Sequence, residues 1–380
     1  MKFDLSNHPH FVRRVDGVTG AVSFLLNERV APFQRGLYYA TPSISADGRW
    51  LWFRAVWPPS RGGHLAAVCL DPAQPRLVAL PVTIGGGQPL LLPEGDAAYV
   101  AIGDGIYRVT LDGRAEPVLR MPAELVANRR LAHLAGDLTM SADGRYLLLE
   151  SQIGNRWLFS LGERATGKVL PLRSFFRCYH HAVFSPTDPE LLLLCQGPWH
   201  DEISGEKGNI DIRIWLMDTR QTRFEPLFGD LWFNHNCMSC HEWWTADGKV
   251  QWVDYDDGIY EADVYESPRR RTLIWPHRDL CHGQCDRSLR YIVADENPYG
   301  RCADRPCRIL LLDRRSGRET ALCSDAGLPP IADPADWRSY HLDPHPHFSP
   351  DGQAVVYTTC QRGMVDVAVA PVEQEATDAE

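Results

Sequence analysis

The chain contains no run of about 18 apolar residues, so it has no segment able to cross a membrane as a helix. Its opening, "MKFDLSNHPHFVRRVDG", lacks the apolar centre of a secretory leader and predicts a cytoplasmic protein. There is no basic block either. With 39 Lys and Arg against 49 Asp and Glu, the net charge is -10, which argues against a nucleic-acid partner. The short "RRR" at 269–271 reads as a solvated face. No G-x-S-x-G elbow occurs, and "IGGGQP" at 84–89 lacks the Lys-Ser/Thr ending of a phosphate loop, so serine-hydrolase and nucleotide-hydrolase readings lose their nucleophile and their phosphate cradle. Long amphipathic helical patterns and low-complexity linkers are missing too. Residues 1–372 therefore read as one domain, and only "EQEATDAE" at 373–380 reads as a disordered tail.

Cysteine is plentiful at 11, but the odd count and the missing leader favour reduced thiols over a disulfide framework. "CMSCH" pairs Cys237 with Cys240, and "CHGQC" holds Cys281 and Cys285. Two such pairs can hold a structural zinc. They lie on different repeats, however, and small buried hydrophobes are the commoner role of such residues.

What is present is a repeat. "SISADGRWLWF" from Ser43, "TMSADGRYLLL" from Thr139, "VFSPTDPELLLL" from Val183, "WWTADGKVQWV" from Trp243 and "HFSPDGQAVVY" from His347 share one turn signature. Weaker copies begin at Leu91 and Gly283, which makes seven. Each is a strand, a turn built on Asp-Gly or Asp-Pro, and a run of β-formers. A second hairpin follows most copies, as in "YRVTLDGRAEPVL". Two hairpins make a four-stranded unit of blade length, so the chain is predicted to be all-β, a seven-bladed β-propeller.

The strand entering each turn should be the innermost of its blade and line a central channel. Histidine collects at that position in the second half of the chain, at His180, His181, His235, His241, His282, His341, His345 and His347. Recurrence at one topological position points to a shared site. In "HPHFSP" the side chains of His345 and His347 point one way on an extended strand. With His282 they can form a three-nitrogen face, closed by His341 or Asp343. Imidazole and carboxylate ligands suit divalent manganese, iron, zinc or nickel. His180 and His181 cannot both face inward on an extended chain, and His181 is the one expected there.

In order, "HHAVFSPTDPELLLLCQGPWH", "DIRIWLMDT", "CHEWWTADGKVQWVDY" and "HPHFSPDGQAVVY" resemble the oligogalacturonate lyases, polysaccharide lyase family 22. The resemblance runs best over about residues 175–370. It implies a seven-bladed propeller with a divalent metal, most often Mn2+, that cleaves short pectin fragments by β-elimination inside the cell. Carried over by motif, the metal ligands fall on His282, His345 and His347. Leu342 stands where the family has a glutamine, so His341 or Asp343 is left to complete the shell. The base maps to His241 and a carboxylate-binding arginine to Arg213. His180, His181, Trp199 and His200 are substrate-pocket candidates.

The resemblance implies an anionic oligosaccharide as partner, with no nucleic acid and no membrane. Two other readings remain open at this stage. One is a non-catalytic, TolB-like or WD-like propeller that binds through its rim. The other is a metal-dependent hydrolase or isomerase of a sugar acid.

Overall fold

The structure is a computed structural model and describes residues 3–85, 87–201, 203–208, 210–229, 239–296, 305–327, 340 and 342–372. The described residues are almost wholly β, with a single four-residue helix at Ala123–Val126. The strands form the seven blades of a β-propeller, as the repeat predicts. Six blades take strands from residues 33–84, 90–120, 131–175, 179–226, 239–275 and 280–323. The seventh joins the strands Phe11–Val15 and Val22–Leu26 to His347–Phe348, Ala354–Thr359 and Asp366–Pro371. Both ends of the chain are thus sealed into one sheet, in the register Phe24 to Val369 and Leu25 to Ala368. Arg29 and Arg362 both bind the buried Asp366 beside this seam.

All seven turns expected from the sequence lie between the first and second strands of a blade, and their chemistry repeats. The Ser45 hydroxyl donates to Asp47 (2.5 Å) and accepts from the Trp50 N–H (3.0 Å). Ser141 with Asp143 and Tyr146, and Ser349 with Asp351 and Ala354, close the same circuit at 2.6–3.0 Å. Glycine follows the aspartate because the chain turns there through positive φ, +72° at both Gly48 and Gly144, which only glycine adopts without strain. In the copy at Asp286, Leu289 takes the left-handed position at φ +64°, which is why that repeat reads weakly in the sequence.

The strand Leu191–Gln196 is apolar on both faces because its sheet packs against two others. In Leu191–Gln196, Leu192 and Leu194 join a core with Leu148, Phe159 and Phe184, while Leu191 and Leu193 join Val250, Trp252 and Ala262. The two-residue period of a strand divides its side chains between the two cores. The chain separates into two compact units: Met1–Thr83 with Leu92–Asp96 and Asp279–Glu380, and Ile84–Leu91 with Ala97–Arg278. No helix among the described residues is long and apolar enough to cross a membrane. Nine cysteines are described, all as free thiols. The tail at 373–380 lies outside the described residues.

Candidate functional site

Four of the singled-out histidines share one position relative to the turn. His181, His241, His282 and His345 each stand four residues before the turn residue, which is Ser185, Thr245, Asp286 or Ser349. The first three sit where the first strand of the blade loses register with the second, in the intervals His180/Val183, Cys240/Trp243 and Leu280/Gly283. His181, His241 and His345 have left-handed φ values of +49°, +54° and +47°. Such a bulge re-aims a side chain at a cost of about 1 kcal/mol or more for a residue other than glycine, and it recurs next to active sites. The bulge also answers the expectation that only one of His180 and His181 can face inward on an extended chain. The chain is not extended there, and the two rings lie 4.3 Å apart.

In the first unit, His282 and His345 meet edge to face with ring centroids 4.2 Å apart, and Tyr38 packs on His345 at 4.9 Å. Asp295 organises the pair. Its carboxylate accepts the His282 Nδ1–H (3.0 Å), the His282 backbone N–H (2.7 Å) and the His345 backbone N–H (3.2 Å). This fixes the His282 tautomer with its lone pair on Nε2, the pattern of a carboxylate-oriented metal ligand. Burial disfavours the His282 imidazolium, but the charge and hydrogen bond of Asp295 outweigh it and raise its pKa. The Asp343 carboxylate lies 4.0 Å from His345 Nε2.

His347 departs from the expected three-nitrogen face. Its Nδ1–H donates to the His345 carbonyl (2.8 Å), and its Nε2 accepts the Ser43 N–H (3.1 Å). Burial drives its pKa down to about 4, so the ring is neutral and braces the peptide of its neighbour. His282 and His345, with the Asp343 carboxylate beside His345, thus offer imidazole and carboxylate groups, ligand types that suit a divalent cation of the manganese or iron kind. His341 lies outside the described residues.

In the second unit, His241 Nε2 is 2.7 Å from the Tyr255 hydroxyl. Arg213 is buried, and its fork is occupied by the protein's own Glu242: Nε to Oε1 at 2.7 Å and Nη2 to Oε2 at 3.3 Å. The remaining Nη1 faces the Gln196 carbonyl (3.3 Å) and His180 Nε2 (3.4 Å). The bidentate clamp on a substrate carboxylate, expected from the sequence, would need the same two N–H groups that Glu242 holds. Burial opposes both charges of the pair, yet their mutual attraction prevails: the Arg213 pKa is raised and that of Glu242 lowered.

His181 Nδ1 is 2.6 Å from Asp137, and His133 Nε2 is 2.8 Å from Glu150. In both, burial disfavours the imidazolium and the paired acid more than restores it, so the pKa is raised. His180 is pushed well below the usual histidine range by burial first, then by the charges of His181 and Arg213. Trp199 and His200 sit on a short hairpin beside the sheet, paired with Gly208 and Lys207. The Trp199 ring lies flat on Gly208, where a Cβ would come within 1.7 Å of its Nε1, and the Arg177 guanidinium stacks at 5.1 Å. Of the thiols in the two closely spaced pairs, Cys281 is buried, Cys240 and Cys285 are half-buried, and Cys237 lies outside the described residues.

Sequence reasoning missed Asp295, Asp137, Glu150 and Tyr255. Asp295 and Glu150 did leave a signal, because each is an acid directly after a run of apolar residues in its strand, "YIVADE" and "YLLLESQI". No family model matches the chain, and no curated protein matches its sequence. Its fold is similar to that of the oligogalacturonate lyase of Vibrio parahaemolyticus, with a TM-score of 0.78 and 16% identity over 96% of this chain and 97% of that one. An oligogalacturonate lyase solved in complex with manganese gives a TM-score of 0.74 and 19% identity, covering 96% of each chain. The Cps50 (Swd1) β-propeller domain from Myceliophteria thermophila shares the architecture at 0.54 and 10% identity, over 89% and 97% of the two chains. At these identities the likeness establishes the fold, and the architecture common to all of them is the β-propeller.

Proposed function

We propose that the protein is a metal-dependent lyase that cleaves short oligogalacturonides, or a related uronide, by β-elimination. The observation that carries the reading is the buried pair of His282 and His345, with Asp343 4.0 Å from His345 and Asp295 fixing the tautomer of His282. That donor chemistry suits the manganese found in one structure of similar fold. A cation held there supplies positive charge against the negative charge that builds on the substrate carboxylate during elimination.

The chain's own groups do the proton work. The hydrogen on C5 of a uronide is acidified by the adjacent carboxylate, and a neutral imidazole can remove it. The contact of His241 Nε2 with the Tyr255 hydroxyl orients the ring that takes this proton. The C4–O bond breaks as the C4=C5 double bond forms. The proton removed from C5 ends on the departing oxygen, and no water is consumed. Arg213, held by Glu242, positions His180 and does not clamp the substrate. A second reading of the base rests on His181, which Asp137 orients in the same way as Asp295 orients His282.

The test is incubation with oligogalacturonides and added manganese, followed by ultraviolet absorbance and reducing-end release. A lyase gives both signals, and His241→Ala lowers the rate by about 10²–10⁴-fold. If His181→Ala abolishes activity while His241→Ala keeps it, the base is His181. Reducing ends without absorbance would mean hydrolysis, and neither signal would leave a binding propeller.

A further inference from the structure

One buried cation in the first unit is used by nothing described so far. Arg35 ends the strand Phe33–Arg35 and stands directly across from Arg54 on Trp50–Val56. Only 6% and 2% of their surfaces are exposed. Like charges placed opposite each other on neighbouring strands destabilise a sheet. Nε and Nη1 of Arg35 are buried with no hydrogen-bond partner, and among the described residues no carboxylate forms an ion pair with it. Burial, with the Arg54 charge adding to it, pushes the Arg35 pKa down to about 9, still protonated at neutral pH. Asp343 opposes that shift from a distance, and the same carboxylate also raises the His282 pKa and lies 4.0 Å from His345.

A buried guanidinium with unmet donors is an expensive feature that an apolar residue of similar size would relieve. Its planar fork matches a carboxylate. We propose that Arg35, backed by Arg54 and adjoining the histidine group through Asp343, is a binding position for a carboxylate of the ligand. That the ligand is an acidic sugar rests on the lyase reading; that it is a carboxylate-bearing anion rests on Arg35 alone. The role expected of Arg213 thereby falls to an arginine in a different unit.

The experiment measures binding of galacturonate to the purified protein by calorimetry, with galactose as the uncharged control. Galacturonate has no glycosidic bond and cannot be turned over. Wild type should bind the acid in preference to the neutral sugar, and Arg35→Met should weaken that binding by about 10- to 100-fold, the loss of charge-assisted hydrogen bonds. Its melting temperature should stay level or rise. Arg35→Lys should restore part of the affinity. Undiminished binding in Arg35→Met, equal binding of acid and neutral sugar, or a drop in its melting temperature would each overturn the proposal. Arg35-dependent binding in a protein that forms no unsaturated product would keep the anion position and remove the lyase reading. Lyase activity with galacturonate binding unchanged in Arg35→Met would do the reverse.

Discussion

The Arg213–Glu242 pair offers a test that separates a structural arginine from a substrate-binding one. Its side chains are 8% and 2% exposed, and the fork closes at 2.7 and 3.3 Å. Removing one member of such a pair strands the other charge in the core and costs about 3–5 kcal/mol, whereas replacing both by apolar residues is often near neutral. At about 2.1 cal/mol/K per residue, unfolding of the 380-residue chain carries roughly 0.8 kcal/mol/K. Arg213→Met and Glu242→Leu should therefore each lower the melting temperature by about 4–6 °C if the chain unfolds as one. The double variant should recover most of that loss.

The pH dependence follows from the sign of the Glu242 shift. In the wild type its pKa is lowered, so the pair stabilises above the unfolded carboxylate value and that contribution is lost as pH falls through the folded one. In Arg213→Met burial, the largest influence, is opposed only by the Cys195 hydrogen bond and the His181 charge, and the Glu242 pKa rises relative to wild type. The variant's deficit should then be largest at neutral pH and shrink as the solution is acidified. Calorimetric scans at several pH values measure this. A shift below about 1 °C, an additive double variant, or a raised KM with unchanged stability would refute the reasoning and return Arg213 to the substrate.

Manganese binding, followed by elemental analysis, should be lost in His282→Ala. It should fall about 10- to 100-fold in Asp295→Asn, which spares the ligands but releases the tautomer. His347→Ala should act on stability, because its ring joins the His345 carbonyl to the Ser43 N–H; a metal stoichiometry that falls while the melting temperature holds would contradict this. Asp143→Ala should cost about 0.5–2 kcal/mol by opening the Ser141 turn circuit, as read from urea midpoints. His241→Gly should be at least as stable as His241→Ala, since φ is +54° there, although on an ordinary strand glycine is worse than alanine by about 0.5–1 kcal/mol.

The propeller was legible because its turns use side chains that can do little else: Ser45, Ser141 and Ser349 each need an aspartate two residues on and a glycine after it. The histidines were legible as a cluster, and their position four residues before the turn could have been counted. The partners were harder to see. Glu150 and Asp137 reach histidines 17 and 44 residues away, separations that only the blade geometry brings together. Arg213 looked like a substrate clamp because an arginine gives no sign in sequence of which carboxylate it faces. Leu342, where the lyase pattern has glutamine, is simply core: it packs with Phe33, Val56 and Val365.

What unites the candidate residues is a division of labour inside each blade. The turn and the middle strands carry the folding information, with satisfied hydroxyls and period-two apolar packing. The residue at the bulge is released from that work, since the register breaks there and the backbone enters a conformation that stability alone would give to glycine. Histidine at φ near +50° in His181, His241 and His345 is thus a choice against backbone economy, made repeatedly and at one position. Each of those rings then has a polar neighbour in place: Asp137 for His181, Tyr255 for His241 and Asp343 for His345. A non-catalytic propeller has no need to hold imidazoles in this way, because rim recognition does not depend on the state of a ring nitrogen. That is the physical argument for chemistry at this position, and it stands apart from the likeness of the fold to any other protein.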